Sequence, residues 1–202
     1  VRYKYACRPC QENVRIAPLP VLLLPKTNAT PELIAHTIIS KYADHILLYR
    51  QAKIWSRVDI DLPRSTLCSW LMNVAELCEP LINFSHQKIL AENYIQADES
   101  PIQVLKEPDR KDTSKSYLWV YRGGGIVIFD YQQTRGGYHA QTFLQGFKGY
   151  LQTDAYSGYH FAEKSKDVIS VGCMAHARRP FAQLAKLAKK EGLATKALFY
   201  FK

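Results

Sequence analysis

Residues 94–105, YIQADESPIQVL, mark the point where the chain changes from a helical to a strand pattern. The stretch is rich in β-branched and apolar residues around Asp98, and its period of two predicts a β-strand. Two further strands are predicted at 117–122 and 126–131. The three glycines at 123–125 join them and signal a hairpin. Three leading strands joined by short connections are expected to pair antiparallel.

Beyond the hairpin, strands alternate with helices. Strands are predicted at 149–153 and 168–173, and helices at 138–145 and 175–190, with 155–164 as helix or loop. Strands reached through helices are expected to run parallel to the first strand. The fold class is therefore α/β, a mixed sheet with helices, which is the pattern of a ribonuclease H-like fold.

The region before this sheet is helical and has the outline of a helix-turn-helix. Thr30 is a good cap and Pro31 suits the first position of a helix. A second helix is predicted at 49–58, and a third begins near Arg64 and Ser65 with an apolar stripe that extends to Leu81. Such a start suits a DNA-reading helix, but many helical hairpins share the pattern. The texture of the sequence divides the chain into a short basic segment with two cysteines (1–15), a Pro-rich linker (16–30), a helical region (31–90) and a region of strands and helices (91–202).

Composition and charge narrow the class of function. The chain has 202 residues, of which 47% are hydrophobic, so it can bury a real core. Its net charge of +9 favours a polyanionic partner, most often nucleic acid, although the protein could simply be basic. Arg178 and Arg179, in the last basic helix, are candidate phosphate contacts, with a solvated helix face as the alternative.

Several classes of protein are not supported. No apolar run is long enough for a membrane span, and no signal peptide is present. Five cysteines, an odd number at irregular spacing, argue against a disulfide framework and for a reducing compartment. No nucleophile elbow, P-loop or dinucleotide-binding fingerprint occurs.

Two aspartates are the strongest candidates for chemistry. Asp98 lies in the first predicted strand of the sheet, and Asp154 ends the fourth. Carboxylates are costly beside a core, and if these two strands are neighbours the two acids meet. A divalent cation would relieve their repulsion, and Mg²⁺ prefers such oxygen ligands. The alternative is that each aspartate only caps a turn, which is a serious alternative for Asp154.

Cys7 and Cys10 have the spacing of half a zinc site. A structural zinc ion needs four ligands, and no second pair of this spacing exists in the chain. Cys173 and His176 could complete a site, but the first pair is more simply one whose partners are missing.

Taken together, five ordered blocks resemble the bacterial insertion-sequence-66-type transposases. The likeness extends over nearly the whole chain, and the blocks are KYACRPC (4–10), SKYADHILLYRQ (40–51), ADESP (97–101), LQTDAYSGY (151–159) and GCMAHARRPF (172–181). The resemblance implies a DDE-type enzyme, with Asp98 as the first catalytic acid and Asp154 as the second. It implies a partial zinc-binding segment (1–15), a helical DNA-binding region (31–90) and an incomplete ribonuclease H-like catalytic domain (91–202). It also implies Mg²⁺ or Mn²⁺ as cofactor, DNA (transposon ends and target) as partner, a homo-oligomeric synaptic complex and a place at the bacterial nucleoid in the cytoplasm.

The chain departs from that family at both ends. An earlier cysteine pair of the zinc segment is lacking, so Zn²⁺ is expected at most in a full-length parent. The family's catalytic Glu falls beyond residue 202, and Glu191 is not expected to replace it. The expectation is a truncated transposase with little activity alone. Two alternatives remain open, a DNA-binding module without chemistry and a ribonuclease H-like nuclease such as a resolvase.

Overall fold

A computed structural model describes residues 3–10, 14–16, 22–188 and 192–201 of the chain. The chain divides into two units, Val1–Glu79 and Pro80–Lys202. Each unit has its own apolar core, and each is described by itself below.

The first unit is mainly helical. It begins with two short antiparallel strands and continues with three helices: β1 (Lys4–Tyr5), β2 (Arg15–Ile16), α1 (Pro31–Tyr42), α2 (Leu48–Ser56) and α3 (Arg64–Leu77). Thr30 caps α1 as expected, because its Oγ1 accepts a hydrogen bond from the Leu33 amide at 3.4 Å. Gln51 of α2 is buried and donates to the carbonyl oxygens of Thr37 and Ile46, which ties α2 to the end of α1.

The core of the first unit includes part of the stretch predicted as a linker. Leu24 and Ala29 are buried together with Ile34, Leu67 and Trp70. Residues 17–21 of that stretch lie outside the described residues. The segment 22–30 therefore contributes apolar surface to this core.

The apolar stripe predicted from Ser65 to Leu81 does not form one helix. The helix α3 ends at Leu77, and α4 (Glu79–Leu90) begins two residues later. Pro80 explains the break, since proline lacks the N–H group that an uninterrupted helix would need there. Leu77 and Leu81 are exposed, at 54% and 61%, and do not share one buried face.

The second unit contains the expected mixed sheet. Its strands are β3 (Tyr94–Gln103), β4 (Lys115–Gly123), β5 (Ile126–Gln132), β6 (Gly149–Thr153) and β7 (Val168–Gly172), in the spatial order β5-β4-β3-β6-β7. The first three strands pair antiparallel, whereas β6 runs parallel to both β3 and β7. The mixed α/β class is thereby confirmed, and the first and fourth strands are neighbours.

Helices and turns complete the second unit. After α4 come α5 (Gly137–Phe143), α6 (Met174–Leu187) and α7 (Leu193–Phe199). The stretch predicted as helix or loop forms two 3-10 turns, Ser157–Tyr159 and Ala162–Lys164. The helix predicted to reach Lys190 ends at Leu187, and residues 189–191, Glu191 among them, lie outside the described residues. Within the described ranges, no helix has both the length and the apolarity needed to cross a membrane.

The two faces of the sheet differ. Ile95, Trp119, Tyr121 and Leu151 point into the core of the second unit and are fully buried. Side chains alternate along a strand, so their neighbours lie on the opposite face. Large apolar side chains on that opposite face are exposed: Tyr94 at 44%, Tyr150 at 50% and Ile169 at 53%. Asp98 lies on this open face.

Candidate metal centre

The pairing of β3 with β6 brings the two candidate aspartates together. These parallel strands pair Tyr94 with Tyr150 and Gln96 with Gln152. Two residues further along each strand, the same register places Asp98 opposite Asp154. Carboxylate oxygens of the two side chains lie within 4.8 Å of each other, as the sequence argument required.

Each aspartate makes one local hydrogen bond. Oδ1 of Asp98 accepts from the amide of Glu99 at 2.9 Å, and Oδ1 of Asp154 accepts from the amide of Tyr156 at 2.9 Å. The second contact is a turn that ends β6, so the capping role considered for Asp154 is present. Each of these two hydrogen bonds occupies Oδ1 of its aspartate and leaves Oδ2 for another ligand.

A third side chain, His176, lies at the same point. The Cys173 amide donates to the carbonyl oxygen of Thr153 at 2.8 Å, which joins the start of α6 to the end of β6. His176 is in the first turn of that helix, and its Nε2 is 3.9 Å from Oδ2 of Asp98. Within the described part of the chain, Asp98, Asp154 and His176 form the one group of three or more His, Cys, Asp or Glu residues whose ligand atoms cluster within 4.8 Å.

The three side chains line a cavity of about 240 Å³ on the open face of the sheet. Polar and apolar groups complete its wall: Gln96, Ala97, Val120, Arg122, Gln152, Thr153 and Cys173. Gln96 donates to Oε1 of Gln152 at 2.7 Å, and this hydrogen bond joins β3 and β6 beside the cavity. Two carboxylates and an imidazole suit a divalent cation, since carboxylates bind Mg²⁺ and Mn²⁺ and imidazole binds transition metals. The residues present therefore fit a metal site.

On the buried face, directly beside Asp98, Glu99 has a fully buried side chain. Its Oε1 accepts from Nε and Nη2 of Arg135 at 2.8 and 2.6 Å, and its Oε2 accepts from the Tyr159 hydroxyl at 2.7 Å. These hydrogen bonds raise the pKa of Arg135. Burial, and then the hydrogen bond to Glu99, raises the pKa of the Tyr159 phenol, so the phenol stays neutral.

The buried network connects to Asp154 through one aromatic residue. The Arg135 guanidinium lies 3.8 Å from the centre of the Tyr156 ring. The Tyr156 hydroxyl donates to the carbonyl oxygen of Arg135, and the Tyr156 amide is the group that donates to Asp154. The turn that carries Asp154 is therefore held by Glu99 through Arg135 and Tyr156.

The other predicted site residues lie away from the acids in sequence and are exposed. Arg64 and Ser65 begin α3 and line a cavity of about 520 Å³ with Leu48 and Cys68. Their contact with DNA stays a prediction. Arg178 and Arg179 are exposed on α6.

The cysteine pair Cys7 and Cys10 is exposed in the segment after β1. Neither residue belongs to a cluster of three or more candidate metal ligands among the described residues. Zinc binding at this pair stays a prediction.

Sequence reasoning missed two features of this site. The sequence suggests for Cys173 and His176 only that they could complete a zinc site, whereas the structure places His176 beside both acids. A signal was available, since neighbouring parallel strands end at the same edge of a sheet, and His176 follows β7 as Asp154 follows β6. Arg135 gave no local signal, because its role depends on a loop reaching across the sheet.

Comparison with known proteins identifies the relatives. The sequence profile of a family described as "Transposase IS66 family" matches residues 26–201. The chain is 33% identical to uncharacterized protein y4jD and 32% identical to uncharacterized protein y4qI, both of Sinorhizobium fredii (strain NBRC 101917 / NGR234). These matches cover 93% and 91% of the chain but only 39% and 36% of the relatives. No solved structure matches the chain.

Proposed function

The chain belongs to the IS66 family of transposases, and on that premise we propose that its second unit carries two acids of a DDE active site for DNA transposition. The juxtaposition of Asp98 and Asp154 is the observation that supports this proposal. We also propose a ribonuclease H-like fold for this unit, supported by three antiparallel strands followed by two parallel ones. Because the chain spans under two-fifths of its relatives, the full reaction is proposed for a longer protein.

In this proposal Asp98 and Asp154 would hold Mg²⁺ or Mn²⁺ through Oδ2, the carboxylate oxygen that accepts no backbone hydrogen bond. When bound, the metal lowers the pKa of an attacking hydroxyl group and offsets negative charge on a phosphodiester. The chain itself positions the acids: β3 and β6 set their spacing, and the Tyr156 amide orients the Asp154 carboxylate. Arg122, which lines the cavity, supplies positive charge for a phosphate group. The third carboxylate of the DDE pattern is proposed to come from sequence beyond residue 202.

DNA is the proposed partner, and a homo-oligomer is the proposed assembly for joining two transposon ends. The net charge of +9 favours binding to a polyanion. Arg178 and Arg179 on α6, and Arg64 and Ser65 at the start of α3, are the proposed contacts. Affinity for DNA should then fall as salt is raised, because each neutralised phosphate releases counterions.

The test is metal-dependent cleavage of transposon-end DNA by the protein as its gene encodes it. We expect Asp98→Asn to abolish cleavage while leaving DNA affinity within about twofold, since one charge is removed from the site without altering the basic surfaces. The matched control is Asp109→Asn, an exposed aspartate in the loop after β3. Cleavage that survives Asp98→Asn would refute the assignment of the acid.

A second candidate function is DNA binding without chemistry. The observation that favours it is the local bonding of Oδ1 of Asp98 and of Asp154, which an ordinary turn would also show. Salt-dependent DNA binding with no metal-dependent cleavage, in a protein that includes sequence beyond residue 202, would support this candidate. Cleavage of branched DNA or RNA–DNA hybrids without preference for transposon ends would instead indicate a nuclease.

A further inference from the structure

His176 reaches the two acids from a different element of the fold. Asp98 and Asp154 come from adjacent strands, whereas His176 comes from the first turn of α6. The bond from the Cys173 amide to the Thr153 carbonyl oxygen fixes where that helix starts relative to β6. His176 is half-buried, with 26% of its side chain exposed, and it lines the same cavity as the acids.

The separation between His176 and Asp98 suits two ligands of one ion better than a direct contact. Nε2 and Oδ2 are 3.9 Å apart, which is too far for a hydrogen bond. Two atoms bound to one ion at about 2.1 Å lie roughly 3.0 to 4.2 Å apart, depending on the angle between the bonds. All three ligand atoms lie within 4.8 Å of one another, so small side-chain movements bring them onto one ion.

The two ring nitrogens of His176 differ in their surroundings. Nδ1 is buried and has no hydrogen-bond partner among the described residues. Nε2 is the ring nitrogen that faces Asp98, and it is within reach of a cation shared with that carboxylate.

We propose that His176 is a third protein ligand of the divalent cation held by Asp98 and Asp154, and that it makes the site favour Mn²⁺ over Mg²⁺. Imidazole nitrogen binds transition metals well and Mg²⁺ poorly, because Mg²⁺ strongly prefers oxygen. The inference rests on the proposed function only in taking the two aspartates as metal ligands.

The experiment uses the 202-residue chain and Mn²⁺ as the probe, and it needs no catalytic activity. Bound Mn²⁺ is counted by electron paramagnetic resonance, and electron spin echo modulation detects a directly bound nitrogen. We expect nitrogen modulation in the native chain and its loss in His176→Gln, with Mn²⁺ affinity reduced about tenfold or more and Mg²⁺ affinity within about threefold. The matched control is His160→Gln, because His160 is exposed in the same unit.

The outcomes separate this inference from the proposed function. Mn²⁺ binding that is abolished by Asp98→Asn, but shows no nitrogen modulation, would overturn the role of His176 and leave the acids as ligands. No Mn²⁺ binding, or binding unaffected by Asp98→Asn, would overturn the metal site itself. If His176→Gln does not fold, ¹⁵N-histidine labelling of the native chain gives the same answer, because a bound imidazole changes the modulation from ¹⁴N to ¹⁵N.

Discussion

Replacing Arg135 with methionine tests how strongly the buried charge of Glu99 depends on its partner. The Glu99 side chain is fully buried. Arg135 donates two of the three hydrogen bonds that the carboxylate accepts, and its positive charge compensates the charge of Glu99. Removing one partner of a buried ion pair costs about 3–5 kcal/mol, since the other charge is left uncompensated. Arg135 is 43% exposed, so water can partly take its place. We therefore expect the lower end, about 3 kcal/mol.

For a unit of this size, such a loss lowers the melting temperature by about 10 °C. Arg135→Lys should cost about half as much, because lysine keeps the charge but cannot form two hydrogen bonds from one planar group. Adding Glu99→Gln to Arg135→Met should recover part of the loss, since no buried charge then remains. This partial recovery distinguishes lost charge compensation from lost packing.

The assay is urea unfolding followed by ¹⁹F NMR with 5-fluorotryptophan. The chain has three tryptophans, and Trp119, fully buried in the sheet, reports on the second unit. The control is Arg122→Met, because Arg122 is exposed and makes one weak contact, at 3.5 Å to Gln96; its effect should stay within about 0.5 kcal/mol. A loss below about 1 kcal/mol in Arg135→Met, or strictly additive effects in the double variant, would refute the reasoning.

Three further substitutions test the fold. Hydrogen bonds, of which the one from Tyr131 has the largest effect, lower the pKa of Glu107 below its ordinary value of 4.5. The ionised Glu107 carboxylate therefore stabilises the fold above pH 4.5, and this stabilisation is lost in acid. Glu107→Gln should thus be less stable than the native chain at pH 7, with the gap closing as pH falls below 4.5 in urea titrations. Gly149→Ala should destabilise the sheet by about 2 kcal/mol, because φ is +142° and a Cβ would overlap the Asn93 carbonyl. The control is Gly172→Ala, since a Cβ there meets open space. Equal melting temperatures of the two variants would contradict the prediction. Leu67→Ala should cost the first unit about 3 kcal/mol in calorimetry, since Leu67 is fully buried; a loss under about 1 kcal/mol would show that this core is not well packed.

Much of the sheet could be predicted from sequence because its signals are local. Alternating side chains and a run of glycines are sufficient to place β4, β5 and the hairpin between them, and β6 was predicted with its observed ends. Periodicity does not predict the break at Pro80, because the apolar stripe continues across it; the signal that marks the break is the missing N–H group of proline. The short helix α7 has no marked periodicity and was also missed.

The candidate site was only partly predictable, for a different reason. Asp98 and Asp154 could be paired in advance because parallel neighbours fix their relative position through backbone hydrogen bonds. His176 and Arg135 are placed by contacts between elements, the Cys173–Thr153 hydrogen bond in one case and a loop crossing to Glu99 in the other. Periodicity describes one element at a time, so it does not report such contacts.

The two acids at the centre of the site are held with unequal firmness. Asp98 sits within β3, where it pairs with Val120 of β4. Asp154 lies one residue past the end of β6, and its carboxylate orientation depends on the Tyr156 amide. Tyr156 is in turn held by Arg135, whose anchor is the buried Glu99. The spacing of the site therefore depends on the buried face of β3 as well as on its open face: Asp98 faces the cavity, and the next residue secures the turn that carries its partner.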